Sequence, residues 1–117
     1  MPVLPDQSAA AARRIREAGD RDLIAPEYEI MMLASLGNPR AAMEVANARL
    51  DQLRSESWIL FAPATRNLRE DPGFVRLLSR LGLIQYWRET ATRPDICTDG
   101  KKRDECGPQL LAALKPN

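Results

Sequence analysis

The 117-residue sequence contains no histidine. That one absence excludes histidine-based triads, histidine-ligated metals and imidazole general bases together. Charge of one sign is missing too. Seventeen Lys+Arg face sixteen Asp+Glu, for a net charge of +1, so the composition carries no electrostatic preference for nucleic acid. Long apolar runs are also lacking. The longest uncharged one, Trp58 to Ala62, is far too short to cross a bilayer, and no membrane span is read. The opening MPVLPDQS has neither a charged n-region nor an apolar core, so no signal peptide is read in it. The six glycines are scattered and form neither GxGxxG nor GxxxxGK. No carboxylate is read as lying within an apolar run where burial would raise its pKa. The adjacent acids Glu70-Asp71 and Asp104-Glu105 read as caps and loop charges. No catalytic residue, metal site or cofactor is therefore expected.

What is present is helical. A hydrophobic fraction of 44% in a chain of this length suits one domain with a small core. Residues 1–7 read as a disordered lead-in. A helix follows over SAAAARRIREAG, capped by Asp6 or Ser8 and stopped by Gly19. Its apolar side is thin: Ala11, Ala12, Ile15 and Ala18. Arg13, Arg14 and Arg16 read as a solvated face, the competing reading being phosphate contacts. A second helix is expected from Ala25 to Leu36. Pro26 sits in its first turn, and Glu27 and Glu29 complement its positive end. It is apolar nearly all round, which predicts burial between neighbours. Met31 and Met32 then fill gaps in the core rather than line a ligand groove.

Gly37-Asn38-Pro39 ends that helix and starts the next, expected from Pro39 to Leu53, so the two form an antiparallel hairpin. Trp58 to Ala62 reads as a helical turn interrupted near Pro63, since no second strand exists to pair with it. Residues 64–70 continue helical. Asp71 is expected to cap a helix whose first position is Pro72. The densest apolar stretch is Asp71 to Arg88. Phe74, Leu77, Leu78 and Leu81 recur at helical spacing, Gly82 ends that helix, and Leu83 to Thr90 form another. With Trp58, Phe61, Tyr86 and Trp87, those four residues are assigned to a structural capping core. Trp87 is placed in the core rather than at a recognition surface.

From Arg93 the chain turns polar around Cys97 and Cys106, and PQLLAAL offers a final helical turn or two. A disulfide closing this short loop is sterically easy and stabilises by roughly 2–3 kcal/mol at most. Two free thiols are the competing reading. Two cysteines without histidine do not make a zinc site.

Two stretches carry a resemblance. LASLGNPRAAMEVANARL resembles a tetratricopeptide repeat (TPR), with Ala42 at the small position early in its second helix and Arg49 where another small residue is usual. LREDPGFVRLLSRLGLIQYWRETATRPDIC resembles the C-terminal end of bacterial TPR-type proteins, with Ile96 where an aromatic residue is commoner and a downstream Cys106 as in some of those tails. From Pro39 to Pro72 is 33 positions, near the period of such repeats.

The resemblance implies helical hairpins stacked as a short TPR-like right-handed superhelix, closed by a C-terminal capping helix pair. The expected domains are the lead-in 1–7, a helical body 8–92 and a tail 93–117 tied by the Cys97–Cys106 bridge. The expected function is a non-catalytic module for protein or peptide interaction, the C-terminal sensor or scaffold part of a bacterial signalling or transcription-regulatory protein. The alternative is a DNA-associated regulator using the arginines of the first helix and of Leu68 to Arg88. A periplasmic location is expected if the pair is bridged and the chain is the tail of a membrane-anchored protein; the alternative, with free thiols, is the cytoplasm. A homodimer is compatible with the sequence. Its ligand-binding residues are not assigned.

Overall fold

A computed structural model describes residues 5–98 and 106–115, all but the turns and connections of which are helical, with no strand among the described residues. Residues 1–4 of the expected lead-in and residues 99–105 of the polar stretch, with Asp104-Glu105, lie outside the described residues. The chain divides into two units, Met1–Leu68 and Arg69–Asn117. The division falls inside the body expected over 8–92.

The first unit begins with α1, Pro5–Asp20. Residues 5–7 are therefore helical, with Pro5 supplying the fixed φ of a first helical position. Ser8 lies inside the helix rather than capping it, and its hydroxyl donates to Leu36 O at 3.2 Å. Gly19 does not terminate the helix either. Leu23 N–H reaches Ala18 O and Asp22 N–H reaches Gly19 O, the paired bonds of a Schellman end. The left-handed residue of that end is Asp22, at φ 58°.

The next helix, α2 (Pro26–Ser35), packs antiparallel on α3 (Pro39–Ala48) as a hairpin. Its turn follows directly from the Gly-Asn-Pro triplet. Gly37 takes φ 79°, with Gly37 N–H bonded to Ala34 O and Asn38 N–H to Leu33 O. The Asn38 side chain then accepts from Ala41 N–H at 3.2 Å, capping α3, and Pro39 opens it. The hairpin buries Ile30, Leu33 and Ala34 of α2 and Ala42, Val45 and Ala46 of α3. α2 is not buried all round, however: Tyr28 and Met32 face solvent.

The third helix stops short of the expected Leu53. Asn47 Nδ2 donates to Met43 O at 2.9 Å, a side-chain bond that competes with the helical ladder. Arg49 follows at φ −121°, outside the helical region, and α4 spans Leu50–Leu53. Two 3-10 segments follow, Arg54–Phe61 and Pro63–Glu70. Between them Ala62 is extended, the conformation imposed on a residue before proline. The buried Thr65 hydroxyl closes this break, donating to Ile59 O and Ala62 O. Asn67 Nδ2 donates to Ala34 O at 2.9 Å, tying the second segment to the end of α2.

In the second unit Asp71 Oδ1 accepts from Gly73 N–H at 2.8 Å, forming an Asx turn that contains Pro72. The helix α5 therefore starts at Phe74 and runs to Arg80. Gly82, at φ 80°, separates it from α6 (Leu83–Thr90). α6 ends on Ala91 in the left-handed region at φ 55°, with Thr92 N–H on Trp87 O. After α7 (Asp95–Thr98), Cys97 is bonded to Cys106 across a Cα–Cα distance of 4.9 Å. The final helix α8 (Pro108–Leu114) is core rather than tail. Leu110 and Leu114 are buried, and α8 packs on α5 and α6. Gln109 Nε2 clips it in place through Arg69 O at 2.6 Å and Asp71 O at 2.8 Å.

The residues assigned to a capping core separate. Phe74, Leu77, Leu78, Leu81 and Trp87 are buried and Phe61 is half-buried, but Trp58 and Tyr86 are 51% and 57% exposed. Trp58 lies in a 3-10 segment, where three residues per turn set it apart from the buried Ile59 and Leu60. Tyr86 lies on the outer side of α6, with Ile84 and Trp87 on the inner side.

Candidate functional site

The feature of the first unit that combines burial, charge and exposed apolar side chains is the corner where α1 turns into α2. Its inner side is built on Glu29. The i, i+4 spacing along α2 puts Glu29 one turn before the buried Leu33, and its residue is only 3% exposed. Its carboxyl lies on the backbone of Gly19. A Cβ built on Gly19 would sit 2.6 Å from Glu29 Oε2 and nearer still to Oε1 and Cδ. Glycine is required here for close approach, not for a turn.

Arg49, at the end of α3, completes the corner. Its Nη2 donates to Gly19 O at 3.2 Å, and its Nη1 lies 3.7 Å from Asp22 Oδ1. Farther along α1, Arg16 Nη1 pairs with Glu44 Oε2 of α3 at 2.9 Å. Burial pushes the Glu29 pKa above the ordinary carboxylate value. Arg49 opposes that shift, Asp20 adds to it, and Arg16 opposes it again. A buried, perturbed carboxylate is therefore present, contrary to the expectation from sequence. Its signal was the apolar run YEIMMLA, in which Glu29 falls one turn before Leu33. Reading it as a partner for the helix dipole hid that placement.

The outer side of the corner carries apolar groups in water. Leu23 in the turn is 65% exposed, and Tyr28 and Met32 stand one turn apart on the solvent face of α2. Trp58 is exposed elsewhere on this unit, its Nε1 held by Glu56 Oε2 at 2.6 Å. Of the three α1 arginines with a competing reading as phosphate contacts, Arg16 is paired with Glu44, while Arg13 and Arg14 are exposed.

The second unit has an open depression of about 440 Å³ lined by Ser79, Ile84, Gln85, Arg88 and Glu89. Gln85 Nε2 already donates to Glu89 Oε1 at 3.1 Å. A smaller notch of about 170 Å³ lies beside Trp87, Ala91 and Leu114. Among the described residues no group of acids and cysteines could hold a metal ion, and no helix is long and apolar enough to cross a membrane. Comparison with known proteins finds no matching family model, no similar curated protein and no similar solved structure.

Proposed function

We propose that this chain is a non-catalytic helical module that binds a protein or peptide partner, with the outer face of α2 as its contact surface. The observation carrying this reading is the Tyr28–Met32 pair. Two large side chains stand at i and i+4 on one helix face, with Leu23 also exposed in the preceding turn, in a hairpin that buries Ile30, Leu33, Met43 and Val45. Tyrosine and methionine suit such a role: one gives rigid contact area, the other adapts to its partner. The finer expectation, a short TPR-like right-handed superhelix, rests on the α2–α3 hairpin and its Gly-Asn-Pro turn. A place at the C-terminal end of a bacterial signalling or regulatory protein belongs to the same proposal.

The test is selection of binders from a displayed library of random peptides. The expected result is a family of peptides that bind the full chain and lose binding to Tyr28→Ser/Met32→Glu. Binders indifferent to that double variant, or no enriched binders, would overturn the assignment of this face. The Cys97–Cys106 bridge favours an oxidising compartment such as a periplasm. Mass measurement after alkylation without reductant, on protein isolated from its native host, checks this: blocked thiols support it, and two alkylated thiols point to the cytoplasm.

A further inference from the structure

The ties between α1 and the rest of its unit are uneven in kind. Apolar contact is slim: Ala12 is buried, while Ala11, Ile15 and Ala18 are only half-buried. Polar links do much of the positioning, namely Ser8 to Leu36 O, Arg16 to Glu44, and Arg49 to Gly19 O. Into this seam the fold places Glu29, with the last turn of α1 lying directly over its carboxyl. If α1 lifts, that carboxyl regains water; if α1 closes, the carboxyl loses it.

We propose that the α1–α2 corner is a proton-controlled latch, in which protonation of Glu29 holds α1 down and its ionisation favours release of α1. The charged groups acting on Glu29 are Arg16 and Asp20 of α1 and Arg49 at the end of α3; Arg16 is itself engaged by Glu44, and Arg49 lies near the exposed Asp22. α4 and the first 3-10 segment also pack on α2, and their charged residues are engaged elsewhere: Arg54 Nε lies 3.8 Å from Asp51 Oδ1, and Glu56 accepts from Trp58 Nε1.

The sign follows from linkage. The docked state raises the Glu29 pKa, chiefly by burial, whereas the lifted state returns the carboxyl toward its ordinary value near 4.5. Docking therefore binds the proton more tightly. The contribution of Glu29 to docking is full below the ordinary value and is lost as pH rises through the raised one. Arg49 limits the loss, because its charge favours the ionised form in the docked state.

The experiment is amide hydrogen exchange of the full chain, resolved by segment and corrected for the intrinsic pH dependence of exchange. It is run from pH 4.5 upward, alongside a carbon-detected NMR titration of the Glu29 carboxyl. The expected result is a progressive loss of α1 protection with rising pH, following the Glu29 titration, while α5 and α6 are unchanged. Glu29→Gln should keep α1 protected across the range. Arg49→Gln should move the Glu29 midpoint upward, even though it also loses the bond to Gly19 O. The proposal is overturned if α1 protection has the same pH dependence in wild type and Glu29→Gln. It is equally overturned if Glu29 titrates at its ordinary value.

Discussion

The contact between Gly19 and Glu29 makes a substitution usually expected to help into one that should harm. Gly19 lies near the end of α1, inside the helix, and exchanging a helical glycine for alanine gains about 0.5–1 kcal/mol from backbone entropy. Here the new methyl would occupy the space of the Glu29 carboxyl, 2.6 Å from Oε2 and closer to Cδ. Two non-bonded heavy atoms need roughly 3.5 Å, so the carboxyl must leave or α1 must rise. Either response breaks the seam that Arg49 spans through Gly19 O. Gly19→Ala alone should therefore lower stability. In a Glu29→Ala background the obstacle is gone, and the same substitution should recover its helix gain of about 0.5–1 kcal/mol. For a unit of this size that is a rise of several degrees, taking about 4–8 °C per kcal/mol. The assay is thermal and urea unfolding of wild type, both single variants and the double variant by far-ultraviolet circular dichroism at neutral pH, with the coupling read from the cycle. Equal effects of Gly19→Ala in the two backgrounds would refute the contact and the role assigned to Gly19.

Two further outcomes can be checked by the same unfolding assays. Thr65→Val keeps the shape of a fully buried side chain but removes the hydroxyl shared by Ile59 O and Ala62 O, and should cost about 1–3 kcal/mol; an unchanged midpoint would mean those carbonyls find other donors. Trp87→Ala should cost about 3–5 kcal/mol, while Tyr86→Ala, one position away on the outer side of α6, should stay within about 0.5 kcal/mol; similar losses at both positions would contradict the orientation of α6.

Where local backbone chemistry decides the structure, the sequence was readable. Gly37-Asn38-Pro39 fixes a left-handed residue, a side-chain cap and a first helical position in three consecutive residues, and the hairpin follows from them. Gly82 divides α5 from α6 for the same reason, and PQLLAAL folds as α8. The Cys97–Cys106 pairing was readable from a short loop, whereas the role of α8 in the core was not. Its position depends on Gln109 reaching Arg69 O and Asp71 O, 40 and 38 residues back. The early end of α3 is not legible in its apolar spacing: the backbone leaves helical angles at Arg49, two residues after Asn47 bonds Met43 O through its side chain. Trp58 lies outside the core because its segment winds at three residues per turn, which separates it from the buried Ile59 and Leu60.

The candidate site was the least legible part, and α2 shows why. Its sequence, PEYEIMMLAS, has apolar residues at nearly every angle, so periodicity gives no direction to the helix. Direction comes from packing on α3 and α1, with Ile30, Leu33 and Ala34 turned inward. Once that face is chosen, Tyr28 and Met32 are left in water, and Glu29, the residue between Tyr28 and Ile30, is carried inside. The exposed apolar pair and the buried acid are thus two consequences of one rotation of one helix. A change that re-aims α2 should alter both together. A partner seated on Tyr28 and Met32 would bear on the same helix whose opposite side sets the burial of Glu29. Binding at the outer face and protonation at the inner face should then be coupled, and by reciprocity a peptide that favours the docked state of α1 must raise the Glu29 midpoint further.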